Sequence, residues 1–141
     1  MFRFQLVALS GTKFDEEVYE VILPTVDGQI GVLGEHMPLV SVVVNGPIMV
    51  RRSSHHRDDQ RDYFATNGGV IEVSNNTLRL LVDEADHADD INQAEAEAAL
   101  ERAKAMKLEA KDQISLEKAQ ALIDRQEVRL QVANLKRRHQ K

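Results

Sequence analysis

All seven glycines and all three prolines of this 141-residue chain fall before residue 84, and no helix-breaking residue follows. That asymmetry divides the chain into two parts with different rules. The first part is punctuated by turn chemistry every few residues, which suits short strands. The second is an uninterrupted run rich in alanine, glutamate, glutamine and lysine, all good helix formers.

Up to Asp83, short runs rich in valine, isoleucine, leucine and aromatics read as strands. Residues 2–9 alternate, with Phe2, Phe4, Leu6 and Ala8 on one face. A run at 18–23 ends at Pro24, and Asp27-Gly28 supplies a turn before 29–33. Residues 38–44 close on Asn45-Gly46-Pro47, which reads as a turn into 48–52. After the polar stretch 53–62, strands resume at 63–66, 70–73 and 77–83, with Asn75-Asn76 as a tight hairpin because asparagine tolerates the left-handed conformation. Eight to ten antiparallel strands at this spacing predict a β-sandwich or barrel.

Beyond Asp83 the spacing predicts helices. Asp90 and Gln93, three residues apart, form a capping-box pattern. Ala96, Ala99, Ala103, Met106 and Ala110 then line one thin face. Past Ala110 that register meets only polar residues. A second stripe, Leu116, Ala119, Ile123, Leu130 and Ala133, runs roughly 100° away, one residue out of phase. Two antiparallel helices follow, with residues 111–113 as the bend and Ser115 as the second cap. The fold class is therefore α+β, with a sandwich at 1–86 and a two-helix hairpin at 89–141. Alanine-rich faces bury little apolar area, so folded and extended hairpins are expected to differ by only a few kcal/mol, within reach of a partner.

The charge is as uneven as the glycine. Residues 1–90 carry 7 bases against 15 acids, while 101–141 carry 11 bases against 6 acids. A basic tail on an acidic body suits an acidic protein partner better than nucleic acid, which would call for lysine and arginine across the whole domain. The chain has no cysteine, so disulfides and thiolate chemistry are excluded. No apolar stretch approaches the roughly 18 residues that span a bilayer, and the first residues read as part of the fold.

Three segments carry a resemblance: VILPTVDGQIGVLGEHMPLV (21–40), FATNGGVIEVSNNTLRLLVDEAD (64–86) and DDINQAEAEAALERA (89–103). In this order they resemble the epsilon subunit of F-type ATP synthases, over essentially the whole chain. The resemblance implies a non-catalytic subunit of a rotary machine, peripheral at the cytoplasmic face of a bacterial plasma membrane. Its sandwich would bind the gamma subunit and the c-ring, and its hairpin would either fold on the sandwich or extend into the catalytic alpha/beta hexamer to inhibit ATP hydrolysis. Asp27, Gly28 and Gln29 match the turn that faces the ring, with His36 in the adjoining loop, and many relatives carry an acid where Gln29 stands. Arg125, Arg129, Lys136, Arg137 and Arg138 would meet acidic loops of the hexamer; the alternative is a solvated helix face.

Some relatives bind ATP through a stretch of the form Ile/Leu-Asp-x-x-Arg-Ala. Here residues 91–96 put Asn92 at the aspartate and Glu95 at the arginine, and a glutamate repels phosphate. No cofactor is expected, and calorimetry should find no micromolar affinity for ATP.

The rival readings are an unrelated adaptor of the same architecture and a small β-barrel enzyme with a helical tail. His36 has no serine, carboxylate or second histidine near it in sequence to make a catalytic set. His55, His56, Asp58 and Asp59 read as a solvated hairpin tip rather than a metal site, since adjacent strand residues point to opposite faces. No phosphate-cradling GxxxxGK[ST] occurs, and Tyr19 and Tyr63 are expected to pack on the sandwich.

Overall fold

The computed structural model describes residues 1–139, without the side chains of Asp58 and His139; Gln140 and Lys141, the end of the expected hairpin, lie outside the described residues. Within them the strands are β1 (Phe2–Ala8), β2 (Gly11–Val18), β3 (Glu20–Thr25), β4 (Gly28–Leu33), β5 (Leu39–Arg51), β6 (Asp62–Ser74), β7 (Thr77–Val82) and β8 (Ala85–His87), followed by helices α1 (Gln93–Glu109) and α2 (Gln113–His139). The α+β division expected from the sequence is present, with eight described strands. One pairing departs from the antiparallel expectation: β1 runs parallel to β7.

The strands form one sheet in the order β2-β1-β7-β6-β5-β3-β4, with β8 added to β6. It becomes two layers because β5 and β6 are each thirteen residues long and serve both. Residues 69–74 of β6 pair with β7, whereas 64–66 pair with β8; residues 49–51 of β5 pair with β3. Asn45-Gly46-Pro47, expected as a turn, therefore lies inside a continuous strand, and the expected break at 67–69 lies inside β6. Asn45 pairs with Asn67 there, in the same register that joins Leu39 to Val73 and Val50 to Asp62. What happens at these points is a change of phase. Core-facing residues are Val43 before and Ile48 and Val50 after in β5, and Phe64 before and Ile71 and Val73 after in β6. Both strands shift parity at paired positions, so the ladder survives the corner. A side chain at Gly69 would collide with the carbonyl oxygen of Leu81, which is why the corner carries glycine.

Strand β2 was hidden in the sequence because only Phe14 and Val18 of its eight residues are buried. It is an edge strand, and the acids Asp15, Glu16 and Glu17 blunt it against pairing with another chain. Phe14 still closes the core, 5.5 Å from the Phe4 ring and edge-on to Phe64. Asn75 and Asn76 have φ of 49° and 57°, the left-handed hairpin expected of them.

The helix ends are shifted from the sequence reading. Asn92, not Asp90, caps α1, accepting the amide N–H of Glu95 at 3.0 Å. Asp112, not Ser115, caps α2: its Oδ1 accepts the Ser115 amide at 2.7 Å, and Gln113 already belongs to the helix. These amide donors, Ser115 first, hold the Asp112 carboxyl below its ordinary pKa. The helices are antiparallel. Lys107 Nζ donates to Gln120 Oε1 near the bend, and Arg137 Nη1 donates to Gln93 Oε1 at the open end.

Candidate functional site

At 3.6 residues per turn, α2 divides into two apolar faces roughly 180° apart. Ala119 and Ile123 of the expected stripe are buried, as are Ala96 and Ala103 of α1, while Met106 remains 47% exposed. The gap in that stripe between Ile123 and Leu130 is filled by Gln126, only 8% exposed. The opposite face carries Val128, Val132 and Leu135, at i, i+4 and i+7. It packs on Tyr63 and Ala65 of β6 and Ala88 of the linker, joined by Met49 and Ile91. Thus α2 forms a middle layer between the sheet and α1. The outer face of β6 at Tyr63 and Ala65 is what makes this possible, because Phe64 between them points into the sandwich core.

Polar contacts flank this seam. Arg125 Nη2 and Arg129 Nη1, one turn apart on α2, lie 3.9 and 3.8 Å from the same oxygen of Asp86, in β8. Lys136 pairs with Asp89, in the short 3-10 turn that links β8 to α1. Four of the five cations expected to face a partner are therefore turned to this chain's own groups, since Arg137 also bonds Gln93 and Asn134. Arg138 is exposed. With pair distances near the outer limit of a salt bridge and Arg125 38% exposed, each contact contributes about 1 kcal/mol or less.

The linker is anchored from the sandwich side by Asp62. Its Oδ2 accepts from Arg52 Nε at 2.6 Å and its Oδ1 lies 3.0 Å from His87 Nε2. Burial alone would raise the Asp62 pKa, but the hydrogen bonds from Arg52 and His87 and their charges outweigh it and hold the carboxyl below its ordinary value. Arg52 also lies over the Phe14 ring, 5.0 Å from its centroid.

The other expected contact site is split. Asp27, Gly28 and Gln29 are exposed where the chain reverses from β3 into the start of β4; Gly28 takes φ 112° and Thr25 Oγ1 both donates to the Gly28 carbonyl and accepts the Asp27 amide. His36 lies past the opposite end of β4, six residues or roughly 20 Å of strand away. Its Nδ1 is 2.7 Å from the Met37 carbonyl, and neighbouring Glu35 is tied to Asn76. In the degenerate nucleotide stretch, Asn92 is engaged as a helix cap and Glu95 lies in the first turn, where its charge favours the helix dipole. Tyr63, expected on the sandwich, is there and beneath α2 as well. His55 is exposed at the tip joining β5 to β6. Among the described residues no three His, Asp or Glu side chains gather as a metal would require, and no helix is long and apolar enough to cross a membrane.

Sequence reasoning missed Val128, Val132 and Leu135, which carry the seam, and Asp86, Asp89 and His87, which latch it. The valine spacing of four was visible; without the sheet there was nothing to say what that face covers.

The chain is similar to known proteins in sequence and in fold. The family described as ATP synthase, Delta/Epsilon chain, beta-sandwich domain matches residues 1–88. The ATP synthase epsilon chain of Lactobacillus helveticus is 32% identical over 139 residues, 96% of this chain and 94% of the relative. That of Gloeobacter violaceus is 33% identical over 131 residues, 93% of this chain and 96% of the relative. In fold, the chain superposes on one in the cryo-EM structure of Euglena gracilis mitochondrial ATP synthase (OSCP/F1/c-ring) with a TM-score of 0.73 at 21% identity, covering 88% of this chain and 76% of that one. With a matching sandwich and near full-length similarity through the hairpin, the chain belongs to the ATP synthase epsilon chain family.

Proposed function

We infer that this chain is a non-catalytic central-stalk subunit of a proton-driven ATP synthase, located at the cytoplasmic face of a bacterial membrane. Its sandwich, residues 1–86, grips the gamma subunit and rests on the c-ring through the turn Asp27-Gly28-Gln29, with His36 serving a second contact. Its hairpin, residues 89–141, is the regulatory part. The observation that carries this reading is that the cations expected to meet the hexamer are engaged within the chain. Arg125, Arg129 and Lys136 are occupied by Asp86 and Asp89 while the hairpin is folded. To meet acidic loops of the catalytic hexamer they must first leave the sandwich, so docking and inhibition compete for the same charges. An equilibrium can be driven from 1:99 to 99:1 by about 5.5 kcal/mol of differential binding. The Euglena chain and a chain from the Tetrahymena thermophila central stalk/c-ring structure come from mitochondrial ATP synthases, which supports the assignment by analogy of fold.

The test is reconstitution of the complex with and without the hairpin. A truncation after Asn92 keeps β8, which pairs with β6, and the linker residue Ala88, which is buried. Assembly should persist and ATP hydrolysis should rise. Unchanged hydrolysis would reduce the hairpin to a structural element.

A further inference from the structure

His87 stands where sandwich, linker and hairpin meet. It ends β8, its ring packs edge-on against Phe64 at 5.0 Å, and its side chain is 25% exposed, so solvent protons reach it. Two hydrogen bonds define its state. Nδ1 accepts the backbone N–H of Asp89 at 3.0 Å, which requires that nitrogen to be unprotonated; Nε2 then carries the proton and donates to Asp62. The bond to Nδ1 caps the short turn Ala88–Asp90, and within that turn Asp89 holds Lys136 of α2. The same Asp89 carboxylate has its other oxygen 3.5 Å from Nδ1.

We propose that His87 is a proton-operated catch on the hairpin. A proton on Nδ1 turns an acceptor into a donor facing the Asp89 N–H, so the cap of the turn is lost. The imidazolium then competes with Lys136 for the Asp89 carboxylate, which is already near. The charges around the ring favour this outcome. From β6, Asp62 faces Nε2 and is itself paired with Arg52, just past the end of β5; from α2, Lys136 faces Asp89; on the segment of His87 itself, Asp86 is engaged by Arg125 and Arg129. Asp62 remains ionised well into acid because Arg52 and His87 stabilise its charged form despite its burial, so His87 keeps its anchor on the sandwich when protonated. Protonation therefore loosens the hairpin and leaves the β-sheet intact. Protonation of the ring is the event that releases the catch, so the catch would respond to acidification of its compartment.

As regulation of the motor the catch rests on the function inferred above; as a pH-dependent movement it does not, and the isolated full chain tests it. Because the chain has no cysteine, Glu72→Cys on β6 and Gln131→Cys on α2, both at exposed positions, carry a unique pair of spin labels. At about pH 8 the pair should report one docked distance, and at about pH 5.5 a longer population should appear. The midpoint should coincide with the titration of the His87 ring followed by NMR. His87→Asn, whose amide oxygen can accept the Asp89 N–H and does not titrate, should abolish the response. A wild-type distance that ignores pH, a midpoint different from that of His87, or an undiminished response in His87→Asn would each overturn the proposal. A pH-dependent distance without any effect of hairpin removal on hydrolysis would leave the catch standing and defeat the functional reading instead.

Discussion

The carboxylate of Asp86 lies 3.8 Å from the guanidinium of Arg129, across the boundary between the sandwich and the second helix, and the same oxygen faces Arg125. A partly solvated acid shared by two bases is a contact that is easily exchanged. Asp86→Asn should weaken docking of the hairpin by about 1 kcal/mol at low salt and less at high salt. On the proposed function, in a reconstituted complex it should deepen inhibition of hydrolysis by releasing Arg125 and Arg129 from the sandwich, whereas Arg129→Glu should relieve it. Steady-state ATPase rates at two ionic strengths check both signs.

The seam itself depends on Val132, which is fully buried. Val132→Ala deletes two carbon groups and should cost about 1.6 kcal/mol of docking, at about 0.8 kcal/mol per group. Hydrogen exchange should quicken in α2 while the amides of Ile71 and Leu80 in the sandwich keep their protection. Equal loosening of both regions would mean that hairpin and sandwich unfold as one unit.

Gln126 sits in the apolar stripe facing α1, and among the described residues its Oε1 has no hydrogen-bond partner. Such a group weakens a helix contact by about 1–3 kcal/mol. Gln126→Leu should therefore tighten the hairpin, raise the thermal stability of α1 and α2, and make the extended form harder to reach. A drop in stability would show that the amide is satisfied in solution.

Asp62 makes the sandwich sensitive to acid. Its folded pKa lies below the unfolded value, so its contribution is fully present above the ordinary carboxylate range, about pH 3.9, and is lost as the pH falls through the folded value. Asp62→Asn should cost about 1.5 kcal/mol at neutral pH, and the gap to wild type should close in strong acid. Denaturant titrations at a series of pH values would record the convergence; a gap constant down to the lowest pH would contradict it.

Helix caps offer an independent check on the hairpin. Asn92→Ala should destabilise α1 by about 1 kcal/mol, and Asn92→Gly by only a few tenths. Asp112→Ala should fray the first turn of α2 at neutral pH and have a smaller effect in acid, where Asp112 is itself protonated and a poorer acceptor. Residue-resolved hydrogen exchange at Glu95 and Ser115 reads each cap separately.

Much of the architecture was legible because it rests on local rules. Alternation marked β1, turn chemistry marked the Asp27-Gly28 and Asn75-Asn76 reversals, and the absence of glycine and proline marked the helices. The resemblance carried by residues 21–40, 64–86 and 89–103 identified the family. Local rules also misled at Asn45-Gly46-Pro47: its turn-forming residues are used inside a strand, as a corner between layers, because the facing glycines of β6 let both strands shift phase together.

The sequence alone settled that a strand-rich, acidic body precedes a basic helical pair, since periodicity and charge are properties of neighbouring residues. Only the tertiary structure decided that α2 is buried on opposite sides, that its valines cover Tyr63 and Ala65, and that Asp86 and Asp89 hold Arg125, Arg129 and Lys136. Those choices pair residues some sixty positions apart along the chain, such as Tyr63 and Val128, and nothing in the spacing along either segment encodes which partner fills the face of the other.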